Sequence, residues 1–242
     1  MRFEMRFDKY LTEETLDPDE FIQYLVEKFI AGNPEMQKKY KGIAVKDIPI
    51  EDLWATMSAG NLKLSKKIKI FNLPAGRSCP DMDTCYKNCY AKKAEKRFPH
   101  VRDTRERNFR LAKEDTNLLK KQILAKLEDG DVVRVHESGD MFSQEYLDMW
   151  TEIVKARPNV IFYTYTKTLG RWNWSKIKAL PNFNVVSSLV GGMRNFGKEE
   201  EIKLRAQELG IPVCPCKKGN KVVCGVDCTI CQTQPEVLFI QH

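Results

Sequence analysis

Eight cysteines are the residues of this chain whose type and spacing could do chemistry. They are Cys79, Cys85, Cys89, Cys214, Cys216, Cys224, Cys228 and Cys231. Thiolates are ligands for zinc and for iron–sulfur clusters. The chain has 242 residues, of which 42% are hydrophobic, so its core does not need disulfides to hold it. The cysteines therefore indicate metal or redox chemistry.

The spacing favours iron–sulfur clusters over zinc. Zinc sites usually consist of paired C-x2-C knuckles, and Cys228 and Cys231 alone have that spacing. The segment "CGVDCTIC" (224–231) is C-x3-C-x2-C, which fits three corners of a [4Fe–4S] cube. Cys214 or Cys216 would supply the fourth corner. The sequence thus predicts two [4Fe–4S] clusters, with a zinc-stabilised module as the alternative.

The first triple, C-x5-C-x3-C over residues 79–89, binds three irons of a cluster and leaves the fourth without a thiolate. The eight thiols divide in two ways. In the first, Cys216 completes the C-terminal cluster and Cys214 binds no metal. In the second, Cys216 again completes the C-terminal cluster, Cys214 is the fourth ligand of the first cluster, and every thiolate is used. The loose spacing of the first triple favours the second division, but both stay open.

The elements that must position these thiols alternate along the chain. Short apolar runs predict strands at IKIFNL (68–73), VVRVH (132–136), VIFYTYT (160–166), NVVSSL (184–189), IPVC (211–214) and VLFI (237–240). Amphipathic stretches predict helices at 90–127 in two pieces, 144–157, 174–180 and 198–209. This alternation indicates an α/β fold with a parallel sheet. We expect a partial (β/α)6 TIM-like barrel with a cysteine-rich C-terminal loop, and a doubly wound sheet is the alternative.

The first part of the chain reads as helical. Asp17 can cap a helix that ends at Gly32, Asn33-Pro34 opens a second helix, and residues 50–57 predict a third. We therefore divide the chain into an N-terminal helical cap, 1–62, and the barrel, 63–242.

The carboxyl ends of parallel strands meet at one edge of a sheet, where ligands bind. The catalytic candidates at that edge are His136, Glu137, Asp140 and Lys167. The candidates for binding a cofactor are Glu137, Gly139, Gly191, Gly192 and Arg194. A polar turn in which Gly139 and Asp140 serve the backbone explains "HESGD" (136–140) equally well.

Two resemblances refine this interpretation. A three-cysteine loop after the first barrel strand and "HESGD" after the second resemble the radical S-adenosylmethionine superfamily, although that family has C-x3-C-x2-C in the first loop. "KIKIFNLPAGRSCP", "VVRVHESGDMFSQEYLDMW" and "FYTYTK" together are similar to the phage "gene product 88" family. The resemblances imply a phage origin, an iron–sulfur barrel and S-adenosylmethionine as a cofactor.

The net charge and the hydropathy of the chain limit the kinds of partner that we expect. The net charge is +7, and basic residues concentrate between Lys92 and Lys113, which permits a nucleic-acid partner but more often forms a solvated helix face. No apolar run is long enough to cross a membrane, and the start "MRFEMRFDKYLTEE" lacks the apolar region of a signal peptide. We expect a cytoplasmic protein, in the host cell if phage-encoded, with a reductant protein as a partner; the sequence leaves the oligomeric state open.

Two functions follow from these observations. The first is an enzyme with radical chemistry at the cluster on Cys79, Cys85 and Cys89. The second is a non-enzymatic iron–sulfur or zinc protein in electron transfer, sensing or a nucleic-acid or protein complex. Full thiolate ligation of both clusters would argue for the second function.

Overall fold

The structure is a computed structural model that describes residues 34–60, 64–82, 86–87, 89–188, 207, 212, 214, 224, 226–234 and 236–239. Its helices are α1 (Pro34–Lys39), α2 (Tyr90–Arg97), α3 (Pro99–Glu114), α4 (Thr116–Leu124), α5 (Gln144–Ala156), α6 (Ser175–Lys178) and α7 (Ile230–Thr233). Its strands are β1 (Met57–Ala59), β2 (Ile68–Phe71), β3 (Val132–Val135), β4 (Ile161–Thr166), β5 (Phe183–Ser188) and β6 (Glu236–Phe239). Short 3-10 helices occupy Val45–Asp47 and Ile50–Asp52.

The six strands form one sheet in the order β1-β2-β3-β4-β5-β6. β1 is antiparallel to β2, and the five strands from β2 to β6 are parallel. A doubly wound sheet requires the strand order to reverse, and the described sheet has no reversal. The α/β class and the mainly parallel sheet are therefore confirmed. The sheet is open over the described residues, with β1 and β6 at its edges, and the partial barrel stays a prediction.

Helices α3 to α6 cover one face of this sheet, whereas α7, which carries Cys231, lies on the other. Right-handed crossovers between strands in chain order place successive helices on the same side. The main core accordingly joins Phe71, Val135 and Phe162 of the sheet to Trp150 of α5 and Leu111 of α3. All five side chains are fully buried, so this helix layer is the main apolar support of the fold.

The opposite face carries a second and smaller core, which we call the thiol face. Ile70 of β2, Tyr163 of β4 and Val186 of β5 pack there against Cys214 and Cys231. Alternation along each strand produces this division, since neighbouring residues point to opposite faces. Cys214 and Cys231 are thus part of the packing of the sheet.

The described part of the predicted cap, residues 34–60, packs on the main body. Ile48, Leu53 and Ala55 belong to the main core. The predicted third helix is 3-10 only over Ile50–Asp52, and Met57 begins strand β1. The predicted first helix lies outside the described residues.

Four predicted strands match within two residues at each end, and VLFI (237–240) matches β6. The prediction over 211–214 does not match a strand where it can be compared, since Pro212 and Cys214 lie in none. The helical region 90–127 consists of three helices, because Phe98 and Asp115 interrupt it with non-helical backbone. Of the predicted helix over 198–209, only residue 207 is described. None of the helices in the described ranges has the length and hydropathy needed to cross a membrane.

Candidate functional site at the carboxyl edge of the sheet

Asn72, which follows β2, holds the turn that follows β3. Its side-chain oxygen accepts hydrogen bonds from the backbone N–H groups of Glu137 and Ser138, each at 2.8 Å. Its own carbonyl accepts a bond of 2.9 Å from the Asn108 amide of α3. Asn108 is fully buried, so the helix layer fixes the position of the turn. The sequence analysis did not single out Asn72. The feature that could have identified it is its position as a polar residue at the end of an apolar strand.

Asp140 joins the ends of β3 and β4. Its carboxylate accepts hydrogen bonds from the Met141 N–H (2.8 Å), the Thr166 hydroxyl (2.7 Å) and the Lys167 N–H (2.9 Å). Burial raises the pKa of this carboxyl, and the three donors and the charge of Lys167 act in the opposite direction. Its contacts make Asp140 a positioning group within the turn, as the polar-turn interpretation expected.

Gly139 lies where two segments approach closely. Its φ is +90°, a conformation that L side chains rarely adopt. A Cβ there would lie 2.6 Å from both the Leu73 Cβ and the Ser78 Oγ. The loops after β2 and β3 can therefore pack together only if this residue is glycine.

His136 has its side chain in the helix layer. Its φ of +70° departs from strand geometry at the end of β3. The ring stacks on Tyr146 of α5, and Nε2 lies 2.9 Å from the Tyr146 hydroxyl. Burial, together with the charge of Arg134, lowers the pKa of His136 to about 3. The residue is 2% exposed, so these contacts favour packing over acid–base chemistry.

The loop after β2 carries the first thiols. Cys79 is half-buried, and its N–H donates to the Gly76 carbonyl at 2.9 Å. Burial raises the pKa of Cys79 to about 11; Asp140 and Cys89 also raise it, whereas Lys167 lowers it. Cys79 and Cys89 therefore lie near the strand-end residues Asp140 and Lys167.

Two further contacts anchor this loop. Asp81 accepts hydrogen bonds from Arg171, which follows β4, at 2.7 Å from Nη2 and 3.2 Å from Nε. Tyr90, the first residue of α2, donates a hydrogen bond to the carbonyl of Glu137. The loop is therefore attached to the segments after both β3 and β4.

Four cysteines lie on or beside the thiol face, and we call them the C-terminal thiol group: Cys214, Cys224, Cys228 and Cys231. A hydrogen bond with Cys214 lowers the pKa of Cys231, and a bond with Tyr165 acts in the same direction. The Tyr165 hydroxyl lies 3.1 Å from the Cys231 sulfur. The backbones of Cys224 and Cys228 pair in an isolated β-bridge. Both residues act electrostatically on Cys231.

The structure places Cys214 beside Cys231. The division of the thiols between two clusters stays a prediction. The six described cysteines form no disulfide. Within the described ranges, no three cysteine, histidine, aspartate or glutamate side chains are grouped so that they could hold a metal ion. Cys85, Cys216, Gly191, Gly192 and Arg194 lie outside the described residues.

Arg134, in the middle of β3, was also missed. It points to the thiol face, with its guanidinium carbon 4.5 Å from the centre of the Tyr165 ring. Glu137, Tyr163 and Tyr90 are close enough for their charges to act on it. A charged residue inside the apolar run "VVRV" was the signal that could have found it.

The fold and the site define an α/β protein with a mainly parallel sheet, polar loops at its carboxyl edge and a thiol group on one face. A family model described as "Gene product 88" matches residues 32–208. Because the match covers more than half of the chain, the protein belongs to this phage family.

Two curated relatives carry the name "Gene 88 protein". The one from Mycobacterium phage L5 is 34% identical over 109 residues, which cover 39% of this chain and 46% of the relative. The one from Mycobacterium phage D29 is 33% identical over 109 residues, with 39% and 45% covered. The matched region thus spans less than half the length of these relatives. No solved structure matches the chain.

Proposed function

We propose that this protein is an iron–sulfur redox protein with two clusters. Cys214, Cys224, Cys228 and Cys231 hold one [4Fe–4S] cluster in this proposal, and the loop triple of Cys79, Cys85 and Cys89 holds the other. The observation that carries the proposal is the hydrogen bond between Cys214 and Cys231 on the thiol face, with Cys224 packed beside them.

The C-x3-C-x2-C spacing supports a cube over a single ion. Zinc holds its four sulfur ligands within about 2.3 Å, so they nearly touch one another, whereas a cube of iron and sulfide spreads its thiolates more widely. Cys224, Cys228 and Cys231 follow one another closely in the chain, and Cys214 comes ten residues before Cys224.

The neighbouring residues support a redox role. The Tyr165 hydroxyl bonds to the Cys231 sulfur, and hydrogen bonds to cluster sulfurs raise the reduction potential. The positive charge of Arg134 lies against the ring of Tyr165 and favours a reduced, more negative centre. When bound, each cluster accepts and releases one electron.

The placement of Cys214 bears on S-adenosylmethionine. With Cys214 in the C-terminal thiol group, the loop triple has no fourth thiolate other than Cys216. In the proposal its fourth iron is then open to Cys216 or to a small ligand. S-adenosylmethionine is the small ligand that the sequence resemblance implies.

Anaerobic purification with iron and sulfide assays tests the proposal. We expect about eight irons and eight sulfides per chain. Cys231→Ser and Cys79→Ser should each lose about half of the iron, and a double variant should lose nearly all of it. Stoichiometric zinc without sulfide would instead establish the zinc-stabilised binding module.

A second arm tests the enzyme interpretation. S-adenosylmethionine added to the reduced protein should change the electron paramagnetic resonance spectrum of the loop cluster, and Cys231→Ser should keep that response. If the spectrum does not change while the iron count is correct, the protein is a non-enzymatic electron carrier or sensor.

A further inference from the structure

Arg134 and Tyr163 are direct neighbours across β3 and β4 on the thiol face. The Arg134 Nε and the Tyr163 hydroxyl are both buried, and neither has a hydrogen-bond partner within the part of the chain that the structure describes. Tyr163 is only 2% exposed. Two adjacent polar groups are therefore withdrawn from water without the bonds that normally compensate for burial.

The contacts of Arg134 do not neutralise its charge. The Tyr165 ring provides a cation–π contact, with its centre 4.5 Å from the guanidinium carbon. This contact is not a hydrogen bond of the guanidinium N–H donors. On the other side, Arg134 pairs across the sheet with the apolar Ile70. The described residues include no ion pair of Arg134, although the charge of Glu137 acts on it.

Arg134 is half-buried, and a guanidinium whose Nε is buried without a partner can be completed by a ligand. The edge of a guanidinium offers parallel N–H donors that match the two oxygens of a carboxylate. The Tyr163 hydroxyl adds a further donor beside that edge. Phosphate usually takes more donors, from a helix N-terminus or a nest of backbone N–H groups, and these two side chains supply neither.

We propose that Arg134 and Tyr163 bind the carboxylate group of a small organic molecule on the thiol face. The site goes beyond the proposed redox function and does not depend on metal. Tyr163 packs with Cys214 and Cys231, so the site lies beside the C-terminal thiol group. A molecule held there would lie next to the proposed C-terminal cluster.

The test is thermal unfolding of the anaerobically purified full chain with acetate, propionate or benzoate, each compared with its neutral amide. At least one carboxylate should raise the unfolding midpoint in a concentration-dependent way, and its amide should not. Arg134→Met should weaken that binding by ten-fold or more. Tyr163→Phe should weaken it by about three- to ten-fold, since one neutral hydrogen bond is lost.

The unfolding midpoint of the ligand-free protein is a second readout. Arg134→Met weakens ligand binding in the first readout, but it should not lower this midpoint. Arg134→Met should unfold at the same midpoint as the wild type or at a higher one, because it removes a buried Nε–H group that has no partner among the described residues. Arg102→Met, which changes an exposed arginine paired with Asp103, should bind carboxylates as the wild type does.

Three results would overturn the site: no carboxylate stabilises the wild type, Arg134→Met responds as the wild type does, or inorganic phosphate binds more tightly than every carboxylate. If Arg134→Met does not fold, Tyr163→Phe decides, and unchanged binding in that variant rejects the site. Iron and sulfide are assayed separately from carboxylate binding. A failed carboxylate test therefore does not contradict the metal proposal, and a failed metal test does not contradict the carboxylate site.

Discussion

The hydroxyl of Tyr165 lies 3.1 Å from the sulfur of Cys231, although 66 residues separate the two in sequence. This contact joins the central strand β4 to the segment that carries the last three cysteines. A thiol that accepts or donates a hydrogen bond from a rigid strand has a fixed position, which a metal ligand requires.

Tyr165→Phe removes this hydroxyl and keeps the ring under Arg134. If Cys231 is a cluster ligand, the variant should make the reduction potential of the C-terminal cluster more negative, because a hydrogen bond to a ligand sulfur is lost. A redox titration followed by electron paramagnetic resonance measures the change. Tyr163→Phe is the matched control, since the Tyr163 hydroxyl has no partner among the described residues. Equal potentials in wild type and Tyr165→Phe would contradict the role of the bond.

Cys214 and Cys216 provide a test of the thiol division. Cys214 lies beside Cys231, so Cys214→Ser should make the C-terminal cluster labile and lower the iron content by up to about four per chain. Cys216→Ser should leave that cluster intact. Iron assays and spectra of the two variants distinguish the possibilities. If Cys214→Ser removes the loop cluster instead, the division that the sequence favoured is correct.

The buried His136 should make the stability of the folded protein sensitive to acid. Its pKa is about 3 in the folded protein, against about 6.5 in the unfolded chain. Its contribution to stability is therefore complete above pH 6.5 and is lost as the pH falls from 6.5 towards 3. Between pH 7 and pH 5 the free energy of unfolding should fall by about 2 kcal/mol from this residue alone. Urea unfolding at several pH values measures this slope.

His136→Asn is the variant that should flatten the slope, because asparagine tolerates a positive φ and does not titrate. His100→Asn changes an exposed histidine and should keep it. A slope that persists in His136→Asn would show that another group causes the acid sensitivity.

Alanine substitutions at Gly139 and Gly130 distinguish the cost of a steric conflict from the cost of backbone strain. Both have φ near +90°, but a Cβ at Gly130 meets nothing within 4 Å, whereas one at Gly139 meets the Leu73 Cβ and the Ser78 Oγ. Gly130→Ala should cost about 1–2 kcal/mol of unfolding free energy. Gly139→Ala should cost at least about 2 kcal/mol more or prevent folding. Equal costs in urea unfolding would show that the two loops can separate.

Asp140→Ala leaves three donors without their acceptor: the Met141 N–H, the Thr166 hydroxyl and the Lys167 N–H. The free energy of unfolding should fall by about 3 kcal/mol, because these donors are buried or partly buried. Asp103→Ala, at an exposed ion pair of α3, should change it by less than about 1 kcal/mol. A similar loss in both variants would mean that water replaces Asp140 at the turn.

Much of the sheet could be predicted from the sequence, since β2 to β5 are apolar runs between turn residues and their spacing reveals the alternation with helices. Strand β1 was missed, because Met57–Ala59 is short and lacks an apolar run. It becomes a strand by pairing with β2, which is a tertiary effect.

The strand-end loops were predictable as a set, but their internal geometry was not. The direction of the His136 side chain depends on one backbone angle. The pairing of Arg134 with Tyr163 depends on a register between strands that lie 29 residues apart. The position of Cys214 depends on the path of a long segment, so cysteine spacing alone left two divisions open.

The strand order also has a consequence for synthesis on the ribosome. From β2 to β6 each strand pairs with the one made just before it, so every newly emerged strand finds a completed edge to join. The chain can therefore fold progressively from its N-terminal side without waiting for a distant partner. The last strand follows directly after Cys231, so the C-terminal thiol group can assemble only after the rest of the sheet is in place. Metal would then enter a protein whose scaffold is already formed.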